Sequence, residues 1–256
     1  MRKKQDPFAE IRPYNTDEIP YAINRLLMSP HFVSSLSNFI EVSNPSSLIR
    51  RMRKMKNIAD LQREIFVPMG HTFEQRSIEE LTFGGFDKGD MTKPHLLIAN
   101  HRDIILDSAI LQVYLADHNL PTTRSGIGDN LLTSPILTDI AKLNNMFTVI
   151  RTHDTRTMLS NSRLLSEYIR HSITKDKMSV WLSQRSGRTK DGLDKTQQGV
   201  LKMLYSSKRG NVMESLKELN IVPLTVSYEY EPCDFLKTQE LYIRQYQNYI
   251  KEPGED

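Results

Sequence analysis

Short apolar runs alternate with polar segments of helical periodicity from residue 95 onward. Leu96-Leu97-Ile98-Ala99 has the composition and length of a buried strand, and the spacing of apolar residues predicts a helix over 104–118 behind it. Further strands are predicted at 123–127, 146–151, 178–183 and 221–230, with helices at 131–143, 157–172, 196–207 and 212–219 between them. Strands that alternate with helices predict an α/β fold: a mixed, largely parallel sheet flanked by helices.

The N-terminal part follows a different pattern. Residues 1–20 are polar and punctuated by Pro7, Pro13 and Pro20, which predicts an irregular arm. Two short helices are expected on either side of Pro30, at 21–28 and 31–40. Asn44 and Pro45 then break the periodicity, and Ser46 or Ser47 is the expected cap of a helix from Leu48 to about Ile65. Phe66 to Pro94 reads as a loop that is Gly-rich near its end, and Leu241 to Asp256 is polar and aromatic with no legible element. The expected organisation is an arm and helical segment over 1–80, an α/β domain over 81–235, and a tail over 236–256.

The helix expected at 48–65 carries an apolar stripe, Leu48, Met52, Met55 and Ala59, among Arg50, Arg51, Arg53, Lys54 and Lys56. Two readings fit this pattern. The stripe packs on the core and the charges are solvated, or the helix lies on an anionic membrane surface.

Composition narrows the function classes. With 38% hydrophobic and 25% charged residues the chain is expected to be globular, and a net charge of +3 gives no case for a nucleic-acid partner. One cysteine, Cys233, excludes an intrachain disulfide and fits a reducing compartment. No apolar core follows the charges of MRKKQDPFAEIRPY, so no secretory signal is expected, and no apolar stretch is long enough to span a membrane. The expected location is cytoplasmic, peripheral to the inner face of a membrane.

Candidate chemistry gathers where strands end, the usual place for sites in α/β sheets. The first strand is followed by Asn100-His101-Arg102-Asp103, with Asp107 further on. His101 is a candidate general base, with Asp103 or Asp107 to orient it. Arg151 follows a second strand. Ser186-Gly187-Arg188 lies in a third loop with Arg185 and Lys190. Guanidinium groups beside a base suit activation of a hydroxyl on a phosphorylated substrate, because Arg binds phosphate bidentately. Taken singly, each of these features has an ordinary structural explanation: a satisfied His, a solvated Arg, a plain turn. No His or Cys cluster has the spacing of a metal site, and no metal is expected. There is no Gly-x-Ser-x-Gly elbow, and Cys233 has no distinctive context, which argues against a hydrolase.

These blocks together resemble the glycerolipid acyltransferases, over roughly Leu96 to Glu231. The resemblance rests on Asn-His-Arg with a downstream Asp, Gly128-Asp129-Asn130-Leu131-Leu132, Ile150-Arg151, Gly187-Arg188, and Val222-Pro223-Leu224 with Ser227-Tyr228-Glu229. It implies transfer of a fatty acyl group from an acyl thioester, on coenzyme A or acyl carrier protein, to the hydroxyl of a glycerol-phosphate-type acceptor. No cofactor beyond that co-substrate is implied. By the same resemblance His101 is the base and a following Asp its partner. Arg151, Ser186, Gly187 and Arg188 bind the acceptor phosphate, and Pro223 shapes the acyl-donor side. The chain departs from the family pattern twice. The position five residues after His101 is Leu106, and Asp107 is one beyond it. Ser186 stands where the family usually has Glu. A hydroxyl cannot replace a carboxylate as a charge partner, so an alternative stays open: a weakened or inactive relative that binds anionic lipid at a membrane surface.

Overall fold

The computed structural model describes residues 6–40, 42, 44–152, 154–208 and 210–250. The first five residues of the expected arm and the last six of the expected tail lie outside this set.

Five parallel strands form one sheet: β1 (Leu96–Ala99), β2 (Arg124–Gly128), β3 (Met146–Val149), β4 (Val180–Ser183) and β5 (Ile221–Leu224), in the order β3-β2-β4-β1-β5. Every pairing is parallel. The crossovers between these strands carry helices, as parallel pairing requires. In chain order the helices are α1 (Ile19–Leu27), α2 (Pro30–Phe39), α3 (Pro45–Met52), α4 (Ile58–Leu61), α5 (Val67–Ser77), α6 (Leu106–Asp117), α7 (Pro135–Leu143), α8 (Thr155–Thr174), α9 (Gln198–Tyr205), α10 (Val212–Lys217) and α11 (Asp234–Arg244).

The sheet separates two apolar layers. Leu96, Phe147, Val180 and Leu182 on one face pack with Leu165, Tyr168 and Ile169 of α8 and with Leu204 of α9. On the other face Leu97, Ala99 and Trp181 pack with Leu111 and Leu115 of α6. A third cluster unites α1 to α4 and the turn after α4 with Leu143 of α7. A buried carboxylate reinforces that junction. Asp139 of α7 accepts from the Tyr14 hydroxyl at 2.6 Å and from Arg25 of α1 at 2.6 and 2.9 Å.

Several sequence expectations need correction. The helix expected from Leu48 to Ile65 is interrupted. α3 starts earlier, with Asn44 rather than Ser46 or Ser47 accepting from the backbone as its cap. Asn57 begins α4, accepting from the Asp60 amide at 2.9 Å. Of the expected apolar stripe, Leu48, Met52 and Met55 are buried and Ala59 is exposed; beyond the break the same core is met by Leu61 and Ile65 instead. Leu48, Met52 and Met55 are thus taken up by the core, while Arg50, Arg51, Arg53, Lys54 and Lys56 are exposed. The expected loop at 66–94 contains α5, whose Gly70 permits close helix packing: a Cβ there would lie 2.3 Å from Val113 Cγ2 of α6. The strand expected over 221–230 ends at Leu224. The boundary placed at 235/236 falls inside α11, which is packed against the body. Among the described residues no helix is long and apolar enough to cross a membrane.

Met52 is 1% exposed, so Met52→Ala should cost about 2–5 kcal/mol in lipid-free urea unfolding. A side chain held out for a membrane would change stability by no more than about 0.5 kcal/mol.

Candidate functional site

The turn after β1 is built around one buried carboxylate. Asp107 is 1% exposed and sits in the first turn of α6, where the helix dipole favours negative charge. Its Oδ2 accepts from the Arg102 amide at 2.7 Å and the Asp103 amide at 3.0 Å, and lies 3.0 Å from His101 Nδ1. Its Oδ1 accepts from the Tyr228 hydroxyl at 2.8 Å. An ionised carboxylate only accepts, so the proton of the His101 pair is assigned to Nδ1, which leaves Nε2 as the basic nitrogen. The competition between the two aspartates is resolved: Asp103 turns its Oδ1 to the amides of Ile105 and Leu106, both at 2.8 Å, and starts the helix. Burial, and then the adjacent Asp107 carboxylate, push the Tyr228 phenol far above its ordinary range, so it remains a neutral donor.

Neighbouring segments hold the turn from outside. Asn100 ends β1 by offering its side-chain amide to the backbone of Val226, donating to its carbonyl and accepting from its amide, both at 2.8 Å. It acts as a strand partner where β5 has stopped, and so carries the chain toward Tyr228. The His101 amide donates to Asp194 at 2.6 Å, and its carbonyl accepts from Thr189 at 2.9 Å. Arg102 pairs with Glu231 at 2.9 Å. Lys237 of α11, 4% exposed, donates to the Arg102 carbonyl at 2.6 Å and pairs with Glu231. Lys190 is drawn to Glu240 of α11 at 3.3 Å.

His101 lines a cavity of about 520 Å³. The cavity arises where the sheet parts. β2 pairs with β4 only at Arg124↔Val180 and Ser125↔Trp181, then continues along β3 alone. Gly126 and Gly128 stand on one side of the gap, Leu182 and Ser183 on the other. Side chains from both faces reach it, including Ser108 of α6 and Leu164 of α8. The lining is mostly apolar, with Arg151, Arg185 and Ser186 among its polar members. Gly128 leaves room for the Arg151 guanidinium, because a Cβ there would lie 3.1 Å from Arg151 Nε. The Arg151 amide donates to Asp129 at 3.1 Å.

Of the residues expected to hold a phosphate, Arg151 and Ser186 share this cavity with His101, while Gly187 and Arg188 do not line it. Gly187 adopts a left-handed φ of +75°, which turns the loop just beyond Ser186. Pro223 is exposed on the edge strand opposite Ile98 and does not line the cavity. Tyr228, Asp194, Glu231 and Lys237 had no role in the sequence expectation. Only Tyr228 carried a signal, as part of the Ser-Tyr-Glu block. Among the described residues no group of three or more His, Cys, Asp or Glu side chains is placed to hold a metal.

The Tyr228 shift has a pH signature. An unfolded tyrosine ionises near pH 10, whereas folded Tyr228 keeps its proton to higher pH. Its contribution is complete below about pH 10 and is lost as pH rises beyond that. Tyr14 and Tyr168, each pushed up to about 12 mainly by burial, act in the same direction. Urea midpoints measured across the alkaline range should fall less steeply in Tyr228→Phe than in the wild type; equal slopes would refute the Tyr228 contribution. Compared with known families and with curated proteins, the chain matches no family model and no individual protein.

Proposed function

We propose that this protein is an acyltransferase that moves a fatty acyl group from a thioester to the hydroxyl of a glycerol-phosphate-type acceptor. The observation that carries this reading is the His101–Asp107 pair, locked by Tyr228 at the wall of an apolar cavity that also bears Arg151.

Each feature has a place in the reaction. An apolar cavity of about 520 Å³ suits an aliphatic chain. Arg151, and Arg185 with it, supplies positive charge for the acceptor phosphate. His101 Nε2 takes the proton from the acceptor hydroxyl as the oxygen attacks the thioester carbonyl. Asp107 stabilises the imidazolium that results, as a buried carboxylate does for a hydrogen-bonded His. When the tetrahedral intermediate collapses, the C–S bond breaks and the thiolate recovers the proton from His101. One C–O bond is formed and one C–S bond lost, with no acyl-enzyme required. The family resemblance of the sequence agrees with this chemistry. The irregular spacing to Asp107 does not weaken it, because Asp107 still meets Nδ1 at 3.0 Å.

The test is a mass-spectrometric product assay with glycerol 3-phosphate, lysophosphatidate and other lyso-lipids as acceptors, each with coenzyme A and carrier-protein thioesters. His101→Ala should lower turnover by about 10²–10⁴-fold with the fold retained. Arg151→Ala should raise the acceptor KM more than it lowers kcat, because it removes binding that is uniform along the reaction. Near-wild-type turnover in His101→Ala would remove His101 as the base.

A further inference from the structure

α8 begins before the body of the protein does. Residues 155–160 are all exposed, and the first buried side chain of the helix is Leu165. At 1.5 Å per residue, roughly 9 Å of helix stands clear. This overhang presents Met158, 47% exposed, and Leu159, 62% exposed, and both also line the His101 cavity. α9 packs against α8. It adds Leu201, 42% exposed, and exposed Lys202, which also lines the cavity. Apolar side chains are thus exposed at the rim of an apolar cavity rather than scattered.

Basic residues stand along this rim. Residues 195–208 contain Lys195, Lys202 and Lys208 and no acidic residue, and Lys208 is paired with Glu218. Arg151 and Arg156 flank the start of α8, and Asp154 beside them is engaged in capping, accepting from the Thr157 amide at 2.8 Å. Exposed Leu and Met beside Lys and Arg, on a protruding helix end, is the composition of a segment that lies in a lipid interface. Protein-binding hot spots are instead enriched in Trp, Tyr and Arg.

We propose that the overhanging start of α8 and the adjoining face of α9 form a docking lip for an anionic membrane: Met158, Leu159 and Leu201 enter the interface, and Arg156 and Lys202 meet lipid phosphates. This places the membrane face at the cavity mouth and not on α3, whose apolar stripe is buried. It stands on exposure and charge and does not depend on the acyl-transfer reading.

The test is flotation of the full chain with phosphatidylcholine vesicles, with and without phosphatidylglycerol. The wild type should float with the anionic vesicles, and less so as salt rises. Met158→Glu with Leu159→Glu should reduce this binding by about tenfold or more, with the urea midpoint unchanged because both sites are exposed. Lys202→Glu should weaken it independently. Replacing Arg50, Arg51, Arg53 and Lys54 with Gln should cost less than the lip variant. The proposal is overturned if the wild type ignores anionic vesicles, if the lip variant floats like the wild type, or if the α3 variant loses as much as the lip variant. Wild-type protein that ignores vesicles but binds an acidic carrier protein would assign the rim to a protein partner instead.

Discussion

The site depends on the burial of one carboxylate. Taking Asp107 out of water would be prohibitive without compensation, and the compensation shapes everything near it. Two backbone amides, an imidazole and a phenol converge on its two oxygens. The amides can reach it only if residues 101–103 fold back over the start of α6. The phenol can reach it only if the chain beyond β5 passes close by. Fixing Asp107 therefore fixes the turn, the helix start, the His101 tautomer and the path of residues 225–228 together. Removing the carboxylate would leave several of these groups unsatisfied at once, so the arrangement has few ways to relax partially.

A base is useful only if its position is held, and supports from outside the turn supply this. Asn100, Asp194, Thr189 and Lys237 all bond to the backbone of residues 100–102 or to the chain it pairs with. Two of these come from the loop that also contains Ser186. That loop lacks an acidic residue at 186 but returns one at Asp194, whose carboxylate meets the His101 amide on one oxygen and Gln184 on the other. α11 contributes from beyond the last strand. Its inward side is charged rather than apolar, and Lys237 and Glu240 are spent on Glu231, Arg102 and Lys190. The segment expected to be a tail is a brace for the turn.

Local patterns made the sheet legible and left its supports hidden. Aliphatic runs located β1, β3, β4 and β5, because burial between two helical layers leaves little choice of side chain, whereas β2, Arg-Ser-Gly-Ile-Gly, has only Ile127. β5 was expected to run too long because Asn100, 126 residues away in sequence, takes over the pairing of Val226. α5 was missed because 66–94 was read as one loop, Gly-rich near its end; Pro68 in fact suits a first turn, and the absent Cβ of Gly70 lets α5 meet α6. The stripe at 48–65 was periodic as far as Met55 for the right reason, a shared core, but periodicity does not show the break beyond it, after which Leu61 and Ile65 rather than Ala59 meet that core. His101 and two candidate partners could be named from spacing. Spacing alone did not choose between them; the fold sets Asp103 Oδ1 against the amides of Ile105 and Leu106, and Asp107, in the first turn of α6, against His101. Lys237 and Glu240 gave no signal, since charged residues in an amphipathic helix read as solvated until their partners are known.

The location of the cavity follows from strand pairing rather than from any single motif. A parallel sheet closed along its full length would keep its two layers apart, and the His101 turn would face only the α6 side. Here β2 leaves β4 after two paired residues. At the break Gly126 of β2 lies so close to Phe147 and Leu182 that a Cβ would meet them at 3.1 and 3.2 Å. The gap therefore joins the turn on one face to the apolar wall of α8 on the other. It brings a polar base and a long apolar lining into one space, although the sheet keeps their source layers separate. A water-soluble phosphorylated substrate alone would need only the turn and its arginines. On the proposed acyl-transfer reading, the opening through the sheet would let an aliphatic chain lie alongside His101.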